Sequence, residues 1–367
     1  MGFNCGIIGL PNVGKSTIFN ALTAAKAEAA NYPFCTIEPN TGIVAVPDPR
    51  LEVLCNIAKS QAIIPTAIEF VDIAGLVKGA SEGEGLGNQF LGHIRSVDAL
   101  CHVVRCFEDE NIIHVDGSVS PRRDIEVIET ELLLSDLASV EKRIERVSRA
   151  AKSGDKTLKE ELAALEFAKE HLGRGTPIRR VSKDTELNLA QLGLLTGKPL
   201  MYVANVAEEH VALEADDSAT GLLGELVQVA RESDASVVVI SGRVESEIAS
   251  LDPSERSLFI EELGLKQSGL DRMAQSGYKL LELITFFTVG PKEVHAWTCS
   301  KNATAPEAAG KIHTDFAKGF IRAEVIAYDD YVQCGGEAGA KEKGVLRVEG
   351  KTYIVRDGDI VHFRFNV

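Results

Sequence analysis

The chain has no apolar run near the roughly 20 residues that a membrane span needs. Its first residues carry no basic stretch leading into a cleavable apolar one. A cytoplasmic protein with no membrane partner is therefore expected. Close cysteine pairs are also missing: the seven cysteines, at 5, 35, 55, 101, 106, 299 and 334, form no CxxC. Reduced thiols filling a core fit that spacing better than a disulfide or zinc framework. Positive charge is scarce, with a formal net charge of −15, which argues against non-specific nucleic-acid binding by the whole surface. No recognition of DNA sequence is expected. The exception is local: Lys142 to Lys183 holds twelve Lys and Arg against six Asp and Glu.

What is present starts near the N-terminus. An apolar run, Phe3 to Ile8, reads as a strand, and Ile18 to Leu22 reads as a helix. Between them lies Gly9-Leu10-Pro11-Asn12-Val13-Gly14-Lys15-Ser16-Thr17, a phosphate-binding loop in its proper setting. The glycines let successive N–H groups from Asn12, Val13, Gly14, Lys15, Ser16 and Thr17 face a phosphate, and the helix start adds its positive dipole end. Lys15 is expected on the β- and γ-phosphates and the Ser16 hydroxyl on Mg²⁺.

Thr66 to Val71 runs apolar into Asp72-Ile73-Ala74-Gly75. A carboxylate ending a buried strand sits where open α/β sheets bind ligands. Asp72 is expected near Mg²⁺, and the Gly75 amide near the γ-phosphate. Thr36, between these motifs, is expected to complete the metal shell while the γ-phosphate is present. Gly83-Glu84-Gly85-Leu86-Gly87 superficially suggests a dinucleotide fingerprint, but it follows no strand and reads better as a second switch.

From Asp72 to Asn88, with Asn31-Tyr32-Pro33-Phe34-Cys35-Thr36 before it, the chain resembles the Obg-related P-loop NTPases. The remainder resembles their YchF subfamily, the Obg-like ATPases, over nearly the whole length. The resemblance implies an α/β, Ras-like nucleotide domain carrying an inserted antiparallel helical hairpin. A C-terminal β-grasp domain of the TGS, ubiquitin-like type should follow, and a link to ribosomes is implied. The expected domains are residues 1–123 with 178–280 for the nucleotide domain, 124–177 for the hairpin, and 281–367 for the β-grasp.

Periodicity supports the hairpin. Leu133, Leu137, Val140, Ile144, Val147 and Ala151 recur at coiled-coil spacing; Ser153-Gly154-Asp155 interrupts, and Leu158, Leu162, Leu165, Ala168 and Leu172 resume. The hairpin holds most of the basic segment, so its outer face either meets rRNA phosphates or is a solvated, salt-bridged pair. Beyond Leu281, five short strands (283–289, 293–299, 345–348, 352–355, 360–365) and one helix (306–320) are expected, with no catalytic constellation. Residues 252–280 read as a helical bridge whose Asp252 caps a helix opening at Pro253.

Pro199 to Ala204 reads as a buried strand delivering Asn205-Val206-Ala207-Glu208. GTP-binding relatives place Asn-Lys-x-Asp here, the short Asp pairing with guanine N1–H and N2–H₂. Glu208 is one methylene longer and Val206 replaces the lysine, while Asn205 keeps its approach to the purine N7 edge. The YchF subfamily is similar in this variation and in preferring ATP, so ATP is expected with GTP also accepted. Ser241-Gly242-Arg243, after the strand Ser236 to Ile240, resembles the family's last base-contacting loop.

Where Ras-type switches hold a water-orienting Gln after Asp-x-x-Gly, this chain has Leu76. His114, in the polar loop 107–123, is the candidate to orient the water, although a loop histidine without a role fits as well. Asn12 resembles an asparagine that ligates K⁺ in some relatives. A slow, Mg²⁺-dependent ATPase switch on ribosomes is expected; a GTPase and a non-hydrolysing scaffold are the rivals.

Overall fold

The computed structural model describes residues 3–29, 40–73, 86–153 and 155–366. Along them the strands are β1 (Asn4–Ile8), β2 (Thr41–Ala45), β3 (Ala62–Ile64), β4 (Ala67–Asp72), β5 (Ala99–Arg105) and β6 (Leu200–Asn205). They continue as β7 (Ser236–Ile240), β8 (Leu283–Val289), β9 (Glu293–Ser300), β10 (Phe320–Ile326), β11 (Arg347–Glu349) and β12 (Ile360–Phe365). Two compact units result: residues 1–28, 36–43 and 69–277, and residues 29–35, 44–68 and 278–367.

The first unit is built on a six-stranded sheet of order β2-β4-β1-β5-β6-β7. Parallel ladders join β4 to β1, β1 to β5, β5 to β6 and β6 to β7. β5 and β6 are buried along their whole length, as parallel strands covered on both faces must be. Their continuous apolar runs made them readable. Four strand ends, Ile8, Asp72, Asn205 and Ile240, therefore open toward the same edge, where ligands bind in such sheets. Buried Cys5 and Cys101 lie within this core, and the six cysteines among the described residues are free.

The hairpin consists of Pro121–Ala150 and Lys156–Gly173. The Asp155 carboxylate caps the second helix, accepting from Thr157 N at 2.8 Å and Leu158 N at 3.4 Å. Val140, Val147, Ala164, Leu165, Ala168 and Leu172 form its seam. Across it Arg143 meets Glu161 at 2.7 Å and Lys169 meets Glu141 at 2.9 Å.

The second unit carries a mixed sheet of order β11-β10-β12-β8-β9-β3. The helix Ala305–Ile312 packs Ala308 and Ala309 against Phe286, Val325 and Phe363. Leu51 and Leu54, from the helix Arg50–Ala58, pack with Phe287, Val294 and Tyr331. Residues 44–68 thus belong with the second unit, whereas the sequence reading left them inside the 1–123 span. The cause is the parallel pairing of β3 with β9. Other details also differ. The helix read over 306–320 breaks at His313, whose extended backbone lets Nδ1 accept from Asp315 N at 3.2 Å. Residues 352–355 make only the isolated bridge Thr304–Ile354, and β10 takes their place as a strand. Asp252 stands at its helix start without a side-chain capping bond.

Behind β7, Glu245 braces the first unit. Fully buried, its carboxylate accepts from Gly269 N at 2.8 Å and Leu270 N at 3.3 Å. Burial pushes its carboxyl up to about 7, against those two N–H donors and Arg272. An acid raised on folding stabilises the protein fully below its ordinary 4.5, and that stabilisation is lost as pH rises toward about 7. Wild type should therefore lose about 3 kcal/mol of unfolding free energy relative to Glu245→Gln between those limits. Chemical denaturation at several pH values measures this, and parallel curves for the two proteins would exclude it.

Candidate nucleotide-binding site

The site begins with the loop after β1. Gly9 lies so close to β5 that a Cβ there would sit 2.8 Å from Val103 O. Asn12 and Gly14 take positive φ, 63° and 91°, which turns the backbone back on itself. The helix then starts at Lys15, with Ile18 N donating to Gly14 O at 3.0 Å. Val13 is buried, whereas Asn12, Ser16 and Thr17 are exposed.

Asn205 ties this loop to the base side. Its Nδ2 donates to Val13 O at 2.8 Å, and its Oδ1 accepts from Gly242 N at 3.0 Å. The carboxamide is buried, and a Cβ on Gly14 would lie 2.1 Å from Nδ2. The sequence reading gave Asn205 to the purine alone; the structure makes it a strut first. One Nδ2 hydrogen remains for a purine N7.

The phosphate loop, Asn205 to Glu209, Ser241 to Arg243, and Phe107, Glu108, Asp109 and Ile112 enclose a cavity of about 880 Å³. Ten of the predicted residues line it: Asn12, Gly14, Lys15, Ser16, Thr17, Asn205, Val206, Glu208, Ser241 and Gly242. Val13 stands behind the wall through its carbonyl. Lys15 is paired with Asp72, so the predicted phosphate contact and the predicted metal ligand are neighbours. A hydroxyl and a carboxylate, Ser16 and Asp72, are the hard oxygen donors that suit Mg²⁺. Thr36 and Gly75, the other predicted metal and γ-phosphate contacts, lie outside the described residues, as does Leu76.

His114 is not among the lining residues. It is buried, with Nε2 2.9 Å from Asp124 Oδ2 and Nδ1 accepting from Asp116 N at 3.2 Å. Burial raises the Asp124 carboxyl above its usual range, opposed by His114 and Arg123. His114, Asp116 and Asp124 converge, yet Arg123 Nη2 already lies 3.4 Å from Asp124 Oδ1, supplying the positive charge there.

Sequence reasoning missed Arg105. Its guanidinium, almost fully buried, donates to the carbonyls of Phe107 at 3.1 Å, Asp109 at 3.2 Å and Ile112 at 2.9 Å. It also stacks over the Phe107 ring at 4.7 Å. That one side chain shapes the cavity wall contributed by loop 107–112. A charged residue ending a fully buried strand was the available signal. Asn12 Nδ2 donates to Ile113 O at 3.1 Å, joining this loop to the phosphate loop.

The chain is similar to known proteins along its whole length. Residues 4–136 match the family model described as 50S ribosome-binding GTPase, and residues 283–366 match the C-terminal YchF-GTPase model, described as "Protein of unknown function (DUF933)". The chain is 56% identical to the "Ribosome-binding ATPase YchF" of Escherichia coli O157:H7 and 54% identical to that of Bacillus subtilis (strain 168), each over 100% of both chains. The solved "Structure of the Schizosaccharomyces pombe YchF GTPase" is similar with a TM-score of 0.86 at 37% identity, covering 99% of this chain and 98% of that one.

Gly14→Ala tests the strut. The added methyl collides with Asn205 in a backbone conformation that L-residues rarely adopt. ATP affinity should fall at least about 100-fold, the scale of losing a preorganised set of phosphate donors. Equilibrium titration with a fluorescent ATP analogue reads it, and wild-type affinity would contradict the arrangement.

Proposed function

The chain belongs to the YchF family of P-loop NTPases, and from that premise we propose a slow, Mg²⁺-dependent ATPase whose nucleotide state controls binding to ribosomes. The observation that carries this is the phosphate loop opening, through the Asn205 strut, onto a cavity that fits a nucleoside triphosphate. Phosphoryl transfer to water needs positioning and charge neutralisation more than covalent help. Lys15 and the loop amides supply both. A triphosphate would compete with Asp72 for Lys15, and the Asp72 carboxylate with the Ser16 hydroxyl would hold Mg²⁺. The ion, when bound, neutralises charge on the β- and γ-phosphates. Thr36 and Gly75, outside the described residues, stay the sequence candidates for the metal shell and the γ-phosphate, and the Asn12 side-chain oxygen is the candidate for K⁺.

ATP is favoured over GTP by the base side. Val206 is buried and apolar, and Glu208 carries the longer carboxylate where guanine readers hold a short one. The relatives' names divide, the two bacterial ones calling themselves ATPases and the yeast one a GTPase. GTP is the second substrate on this reading.

His114 acts only on leaving Asp124: freed, the imidazole orients the attacking water in place of the missing Gln. Single-turnover hydrolysis of γ-labelled ATP tests the whole scheme. Lys15→Ala should lose about 100-fold or more; a rate equal to wild type would leave a non-hydrolysing scaffold. In the same assay His114→Ala should fall about tenfold or more at unchanged ATP affinity, while Asp124→Asn keeps its rate. Equal losses in both variants would make the pair structural only.

The ribosomal partner is rRNA phosphate, met by the hairpin with the β-grasp unit assisting, and this places the protein in the cytoplasm. Among the described residues no helix is long and apolar enough to cross a membrane. Near the hairpin turn, exposed Lys142, Arg146, Arg149, Lys152 and Lys159 make no ion pair among the described residues, unlike Arg143 and Lys169. Arg146→Glu with Arg149→Glu should cut co-sedimentation with ribosomes and lower the logarithmic salt slope by about 2, with hydrolysis retained. Unchanged pelleting would return the hairpin to the role of a salt-bridged strut.

A further inference from the structure

Arg243 stands on the lip of the cavity, one residue beyond the Gly242 amide that Asn205 holds. Its Nε faces two carboxylates, Glu208 Oε2 at 3.5 Å and Glu247 Oε1 at 3.6 Å. Glu247 lies one turn along the same helix, Gly242–Ser250, and restrains the guanidinium from the other side. Glu208 comes from the segment after β6, which also lines the cavity, at the place where the resemblance to GTP-binding relatives puts the guanine reader.

In the open cavity this pairing is weak, since the Arg243 side chain is 77% exposed. A bound purine displaces water, and attraction between the charges rises as the effective dielectric falls. Guanine offers N1–H and N2–H₂ to a carboxylate. To accept them, Glu208 must turn away from Arg243, leaving that cation beside the base with only Glu247 of its two carboxylates. Adenine has neither donor, so the pair stays intact when it binds. A site that must break one charge-assisted contact to make another discriminates against the ligand that demands the exchange.

We propose that Arg243 is a specificity-determining positioning residue: by engaging Glu208 it holds that carboxylate off the Watson–Crick edge of the purine and biases the cavity toward adenine nucleotides. The proposal rests on the ATP reading above and adds the side chain that enforces it. It concerns a half-open ion pair at the surface, so substitution does not threaten the core.

The test is a cycle of full-length proteins: wild type, Arg243→Ala, Glu208→Ala and the double variant, each titrated with fluorescent ATP and GTP analogues. Arg243→Ala should raise GTP affinity relative to ATP about tenfold, the scale of one charge-assisted hydrogen bond. In the Glu208→Ala background the same substitution should leave the ratio unchanged. Arg243→Lys should recover part of the wild-type ratio. An unchanged ratio in Arg243→Ala, or an equal change in both Glu208 backgrounds, overturns the proposal. Wild type that prefers GTP would overturn the ATP reading alone, because the coupling between positions 208 and 243 is measured whichever purine is preferred.

Discussion

One carboxamide holds the nucleotide site together. Asn205, at the end of β6, reaches Val13 in one direction and Gly242 in the other. The phosphate loop and the proposed purine pocket come from segments nearly 200 residues apart in sequence. Without a shared strut, each would have its own freedom, and a nucleotide would have to order both on arrival. Buried, the amide is also obliged to find partners, so the tie is costly to break. Gly14 exists in this arrangement as the residue with no side chain to obstruct Asn205.

The opposite wall follows a different logic. Arg105 brings a full positive charge into the protein and satisfies it with three carbonyls of loop 107–112. A loop of that composition has little apolar surface with which to fix its own shape. A planar guanidinium supplies the shape instead, donating in several directions from a fixed point. The loop is then latched at its far end, where His114 meets Asp124, and to the phosphate loop through Asn12. Three polar side chains, Arg105, His114 and Asn12, do here what packing does elsewhere in the core.

Much of this was readable from residues. The phosphate loop, the carboxylate at the end of β4 and the buried runs of β5, β6 and β7 are local patterns, because parallel strands covered on both faces leave long apolar stretches. The hairpin announced itself through heptad spacing. What escaped was non-local. Nothing in residues 44–68 says that β3 will extend a sheet made by residues some 230 positions later. The kink at His313 and the strand β10 depend on neighbours in the second unit rather than on their own periodicity. In the site, residue types were legible but their partners were not. Asn205 looked like a base contact because its neighbours in sequence suggested one, while its obligations to Val13 and Gly242 appear only once β6 and β7 lie side by side.

The position of Asp124 bears on how hydrolysis and partner binding could be one process. Asp124 lies in the first turn of the long hairpin helix Pro121–Ala150, where a carboxylate also complements the helix dipole. Its imidazole partner belongs to the loop that Asn12 holds against the phosphate loop. On the proposed role of His114, its release toward the attacking water would remove a buried contact from the root of the hairpin. Asp124 is then left with Arg123 alone, at a site where burial already disfavours its charge. The hairpin helix would then respond by proton uptake at Asp124 or by a shift of its first turn. Either response is a differential interaction between two states, which is what a nucleotide switch requires. A ribosome that grips the far, basic end of the same helix would feel it through a rigid element rather than through a chain of loops.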